Sequence, residues 1–139
     1  NLQRLAILLG RNDLRAKGAQ ILHAFGGAME KNPFAYDRML AGAGAWHDGF
    51  VEIAILGPYS DPRMRELLRA VYRGYLPNKL VVRAEKTDDR SPLLAGKTLI
   101  DGRPTAYVCR NYACRQPTTS PEQLEEQLGF ATMQSRSGS

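Results

Sequence analysis

The sequence predicts an α/β fold: N-terminal helices, then a small sheet from a βαβ unit and a hairpin, closed by a C-terminal helix. Three observations predict it. Apolar residues recur at helical spacing through the first third of the chain. The period then shortens to strand-like runs at Val51 to Leu56, Leu80 to Arg83 and Thr105 to Cys109. Finally, a segment with strong start and stop signals follows Pro117.

Taken in order, Leu2, Leu5, Ile7 and Leu8-Leu9 form a first helical stretch with Gly10 as its stop. Asn12 is positioned to cap a second helix, whose apolar face carries Leu14, Gly18, Ile21, Leu22, Phe25 and Met29. Asn32-Pro33 ends it, because the residue before proline resists helical torsions. A third helix is expected from Phe34 to about Trp46. Its run Ala41-Gly-Ala-Gly-Ala45 sacrifices helix propensity, about 1 kcal/mol per glycine, and predicts tight packing against a neighbouring backbone. Val51 to Leu56 reads as a strand covered on both faces, and Gly57-Pro58 breaks it.

Ser60 or Asp61 caps the next helix, with Pro62 at its first position and Met64, Leu67, Leu68, Val71, Tyr72 and Tyr75 as its buried stripe. Leu80 to Arg83 completes a parallel βαβ unit. After a charged loop from Glu85 to Pro92, Thr98 to Ile100 and Thr105 to Cys109 are expected to pair as a hairpin across Asp101-Gly102. Pro104 stands at the start of the second hairpin strand, where a missing donor is tolerated. In the last helix Ser120 caps, Pro121 takes the first position, Gln123 completes a capping box and Gly129 closes the end.

Composition narrows the function classes. The chain has 139 residues, 43% hydrophobic and 24% charged, which is ordinary for one folded domain. No apolar run reaches the roughly 20 residues needed to span a bilayer, so no membrane partner is expected. The start, Asn-Leu-Gln-Arg inside an amphipathic run, suggests a piece of a longer protein, and the tail from Gln134 to Ser139 is expected to be disordered. Net charge is +5. Arg65, Arg69 and Arg73 recur at i, i+4, i+8 and form one basic stripe, an anion-binding candidate; without aromatic interleaving, no nucleic-acid partner is expected. Gly57 to Asp61 lacks a phosphate-loop pattern and reads as a plain turn.

The only two cysteines, Cys109 and Cys114, are the one constellation able to carry redox or metal chemistry. Three readings stay open: structural thiols or a structural bridge, a reversible dithiol pair, or two ligands of a metal site. Structural zinc usually takes four ligands, and no metal or cofactor is implied. The C-x4-C spacing allows a loop disulfide where the Cα atoms approach within about 7 Å, although reduced thiols in a cytoplasmic compartment are the default for a chain without a signal sequence. Arg110 and Arg115 flank the pair and are candidates for lowering a thiol pKa. His23 and His47 are the only histidines, and His47-Asp48 reads as part of a helix-to-strand connection rather than an acid-base pair.

Leu93-Leu94-Ala-Gly-Lys97, Asp101 to Cys109, Cys114-Arg-Gln-Pro117 and the capped terminal helix together resemble the C-terminal part of the YyaL-type, spermatogenesis-associated thioredoxin-domain family. Val51 to Gly57, Tyr75 to Lys79 and Phe34 to Leu40 fit the same pattern. The resemblance implies a longer protein with a thioredoxin-like domain, carrying its own Cys-x-x-Cys, and a six-hairpin α/α barrel of poorly defined reaction. It implies that residues 1–48 are the end of the barrel, 49–130 a small α/β C-terminal domain and 131–139 a tail. The expected function is a non-catalytic segment packing on the barrel and shaping it, with the rest of its own chain as partner. The alternative is a redox module using Cys109 and Cys114.

Overall fold

The change of period near residue 50 is where helices give way to a sheet. The computed structural model describes residues 1–110 and 113–130, so the expected disorder of the tail lies outside the described residues. Among these, three helices come first: α1 (Leu2–Leu9), α2 (Asn12–Lys31) and α3 (Asp37–Asp48). Then come β1 (Val51–Leu56), α4 (Pro62–Arg73), β2 (Lys79–Ala84), β3 (Thr105–Arg110), β4 (Ala113–Cys114) and α5 (Pro121–Leu128). The strands form one mixed sheet in the order β2-β1-β3-β4. As the βαβ reading expects, β1 and β2 are parallel, while β3 is antiparallel to both β1 and β4. No described helix is long and apolar enough to cross a membrane.

Local signals place most boundaries. Gly10 and Gly129 stop α1 and α5 in the left-handed conformation. Asp61 caps α4 by accepting from the Arg63 N–H at 2.9 Å, and Pro62 occupies the first helical position. Arg11 rather than Asn12 precedes α2, with no side-chain cap. The segment after Pro33 first winds as a 3-10 turn (Pro33–Tyr36) before α3 begins at Asp37. Ser120 accepts from the Gln123 N–H at 3.2 Å, but the reciprocal half of the capping box is absent. The Gln123 side chain instead accepts from the Thr118 hydroxyl, and Thr118 Oγ1 accepts the Ser120 N–H.

The two sheet faces are built differently. Ile53, Ile55, Ala106 and Val108 face Met64, Leu67 and Val71 of α4 and Leu124 and Leu128 of α5, forming the main core. Gly74 allows the Phe130 ring to close this layer, since a Cβ there would lie 2.3 Å from the ring. On the second face, Ala54 and Leu56 pack under Leu94 and Tyr107, and Leu80 packs with Ala45, Phe50, Ile7 and Leu8. The Arg4 guanidinium fastens α1 to the sheet edge by donating to the Lys79 and Pro77 carbonyls at 2.9 and 2.8 Å.

Three expectations fail for physical reasons. Thr98 to Ile100 forms no strand. β1 takes one edge of β3, while Cys114 and Thr118 take the other, leaving only a bridge between Ile100 and Arg103. The tight turn itself forms, with positive φ at Asp101 (49°) and Gly102 (66°). Tyr72 and Tyr75 are 61% and 90% exposed rather than buried. Tyr72 sits beside the stripe under the Lys79 ammonium, 4.3 Å from its ring centroid, and Tyr75 lies beyond the end of α4, where helical spacing no longer applies. The small-residue run of α3 meets no neighbouring backbone: a Cβ at Gly42 or Gly44 would find nothing within 4 Å.

Candidate functional site: a row across the sheet

Strand pairing aligns Leu80, Glu52, Cys109 and Cys114 in one row across β2, β1, β3 and β4. Directly paired residues project on the same face. The row lies on the second face, because the alternate positions Ile53 and Val108 belong to the main core. Cys109 and Cys114 are bonded to each other, with Cα atoms 3.9 Å apart. The pair is therefore oxidised rather than the reduced dithiol expected by default. The Arg115 N–H donates to the Val108 carbonyl at 2.9 Å, so the cysteines occupy a non-hydrogen-bonded pair, where opposing side chains come closest. Cys109 is 5% exposed, and Cys114 is open to solvent.

Alternation along the strands decides what surrounds the sulfurs. Arg110 and Arg115 fall on positions facing the opposite side of the ladder, so the register does not aim either guanidinium at the disulfide. Glu52 is the charged residue aligned with it. Burial holds its carboxyl above the ordinary glutamate value, and the charge of Lys97 counters part of that rise. Burial likewise lowers the Lys97 ammonium. Lys97 comes from the loop that crosses this face. The Tyr107 hydroxyl tethers that loop, donating to the Thr98 carbonyl at 2.6 Å and accepting the Thr98 N–H at 3.0 Å.

A cavity of about 400 Å³ opens beside Glu52, where α1, the start of α2, the end of α3 and the Pro92-Leu93 turn meet over the sheet. Its walls include Gln3, Arg15, Trp46, His47 and Phe50. The Arg15 guanidinium lies over the Trp46 ring at 5.4 Å and that of Arg4 over Phe50 at 5.3 Å. His47 Nδ1 is 3.0 Å from Asp48 Oδ1, at an exposed rim. His23 is exposed on α2, remote in sequence from the thiol pair. Among the described residues no group of three or more His, Cys, Asp and Glu could hold a metal.

Arg65, Arg69 and Arg73 are all exposed on α4, as their spacing predicts. Arg73 donates to Glu125 of α5 at 3.0 Å, and Arg69 borders the same groove as Glu66, Glu122 and Glu125. The basic stripe is thus interleaved with carboxylates. Sequence reasoning missed Glu52, Lys97 and the aromatic wall. The available signal was Glu52 itself, a charge inside an otherwise apolar strand covered on both faces.

The sequence aligns over 133 residues, 92% of this chain, with human spermatogenesis-associated protein 20 at 30% identity. The chain is homologous to a part of spermatogenesis-associated protein 20. The rat protein of that name is also 30% identical over the same share, and an uncharacterised protein of Caenorhabditis elegans is 24% identical over 91% of the chain. The chain spans only 17% of the length of the human and rat relatives. No protein-family model matches it. No solved structure matches it either.

Proposed function

We propose that this chain is the non-catalytic C-terminal segment of a longer cytoplasmic protein with a thioredoxin-like domain and an α/α barrel. In this reading residues 1–48 complete the barrel, and residues 49–130 pack on it and shape its pocket. The observation that carries the proposal is the imbalance of the helical region. From α1 to α3 only Ala6, Gly18, Met29 and Ala45 are buried, while Leu5, Leu9, Ile21, Phe25, Phe34, Leu40 and Trp46 are exposed. Amphipathic helices that leave so much apolar surface open are built to be covered. That the chain spans 17% of the length of its human relative supports a cover drawn from the remainder of the same polypeptide.

The test is deletion of this segment from the longer protein. Loss of cooperative unfolding and of activity is expected. A truncated protein that keeps both sinks the reading. A more local test replaces Phe25 and Phe34 with serine, which should destabilise the longer protein and leave the 139-residue chain nearly unaffected.

The second reading is a redox module, favoured by the bond between Cys109 and Cys114. In a cytoplasmic setting such bonds are usually transient and tied to redox chemistry. Titration of free thiols with and without reductant tests it: two thiols should appear under mild reductant and vanish under mild oxidant. A pair that stays bonded, or stays reduced, under both conditions removes it.

A further inference from the structure

From the alignment of Glu52 with Cys109, we propose that Glu52 is the proton donor and acceptor of a thiol exchange at the Cys109–Cys114 disulfide. The inference rests on the redox reading and gives that site a direction and a chemical partner, a small or peptide dithiol. The two sulfurs are not equivalent. Cys114 is on the exposed edge strand, where an external thiolate can reach it, whereas Cys109 is inside the sheet beside Glu52. In thiol exchange the attacked sulfur is chosen by access, and the sulfur that leaves departs faster as its thiol becomes more acidic. Burial penalises a departing Cys109 thiolate. A carboxyl directly across the ladder removes that penalty by protonating it.

The step balances as follows. A thiolate of the external dithiol attacks Cys114 Sγ. A bond forms between those two sulfurs, and the Cys109–Cys114 bond breaks. Its electron pair goes to Cys109 Sγ, which takes the proton of the Glu52 carboxyl and becomes a neutral thiol. The second thiolate of the dithiol then attacks its own mixed-disulfide sulfur, and Cys114 is released to take a proton from water. The protein gains two electrons, the dithiol becomes a cyclic disulfide, and Glu52 recovers a proton from solvent. Run backwards, the Glu52 carboxylate takes the Cys109 proton and makes the attacking thiolate.

Burial keeps a protonated population of Glu52 at higher pH than an exposed glutamate would hold. The charged and titratable groups around it are Lys97 from the crossing loop, Arg15 from α2, His47 from α3 and Tyr107 from β3. The cavity gives the carboxyl its route to solvent protons.

The experiment is the rate of reduction of the 139-residue chain by dithiothreitol, expressed per thiolate and followed across acidic to alkaline pH. The expected wild-type rate falls as Glu52 loses its proton. Glu52→Gln should slow reduction about 100-fold at the acidic end, the lower end of what a positioned acid contributes, and flatten the profile. Glu52→Asp should retain a shifted inflection, and it keeps the question answerable where glutamine disturbs the sheet. Equal rates and profiles in wild type and Glu52→Gln overturn the role of Glu52 alone. A wild-type disulfide inert to dithiothreitol at every pH overturns the redox reading and this role together.

Discussion

The helices from Leu2 to Asp48 and the sheet layer from Val51 to Phe130 are both rich in apolar residues but opposite in how they use them. In the sheet layer Ile53, Ile55, Met64, Leu67, Val71, Val108 and Leu124 are sealed from solvent by one another. In the helical region Phe34 is 94% exposed, and α2, with 20 residues, buries only Gly18 and Met29. A sheet with a helical layer on one face closes a core by itself. Three helices that touch it mainly through Ile7, Leu8 and Ala45 do not. Amphipathic patterning therefore states that a face will be buried, and it is silent about whether the partner lies in the same segment.

The comparison breaks most visibly at matched core and surface positions. Ile53→Ala should cost about 3–4 kcal/mol in denaturant unfolding, because a sealed side chain leaves a cavity. Phe25→Ala should cost at most about 0.5 kcal/mol in the 139-residue chain and, under the proposed packing, several-fold more in the longer protein. Equal costs at the two positions in this chain would show that the helical region has a core of its own.

Next is the staple at the sheet edge. Cys114→Ser opens a loop of about six residues, and loop-closure entropy gives a cost of about 2 kcal/mol, measurable as a lower unfolding midpoint. Its local effect should be confined to β3 and β4 in hydrogen exchange, leaving α1 to α3 unchanged. Arg4→Ala should cost about 1.5 kcal/mol, the scale of hydrogen bonds from a charged group. Exchange should then rise in α1 and along the β2 edge but not in α4 or α5.

The smallest effect is the pH response of Glu52. Its carboxyl is raised in the folded state, so its contribution to stability is full below the ordinary glutamate value and is lost as pH rises through the folded value. Glu52→Gln should make the chain slightly more stable at neutral pH, and the difference should shrink as pH falls toward 4. A variant that is less stable at neutral pH would show that the carboxylate is held by attraction to Lys97 rather than strained by burial.

Much of this molecule was legible one residue at a time. Asp61 and Ser120 cap, Pro62 and Pro121 open helices, Gly10 and Gly129 close them, and Asp101-Gly102 turns, because each acts through its own backbone torsions or the nearest N–H groups. The βαβ unit followed from periodicity and loop length. Strand choice was less accessible: Thr98 to Ile100 has strand-forming residues, yet β1 and the Cys114–Thr118 stretch had already claimed both edges of β3. Edge occupancy is a property of the whole sheet.

The sequence by itself determined the α/β class, most of the caps and stops of its helices and the presence of two thiols close enough along the chain to meet. The tertiary structure alone decided their bond and their surroundings. Long-range pairing of β1 with β3 set Glu52 beside Cys109, and alternation turned Arg110 and Arg115 away. The physical reason is that a cysteine's reactivity depends on the charge and burial within a few ångströms of its sulfur. Those neighbours are supplied by a strand more than fifty residues earlier, where proximity along the chain carries no information.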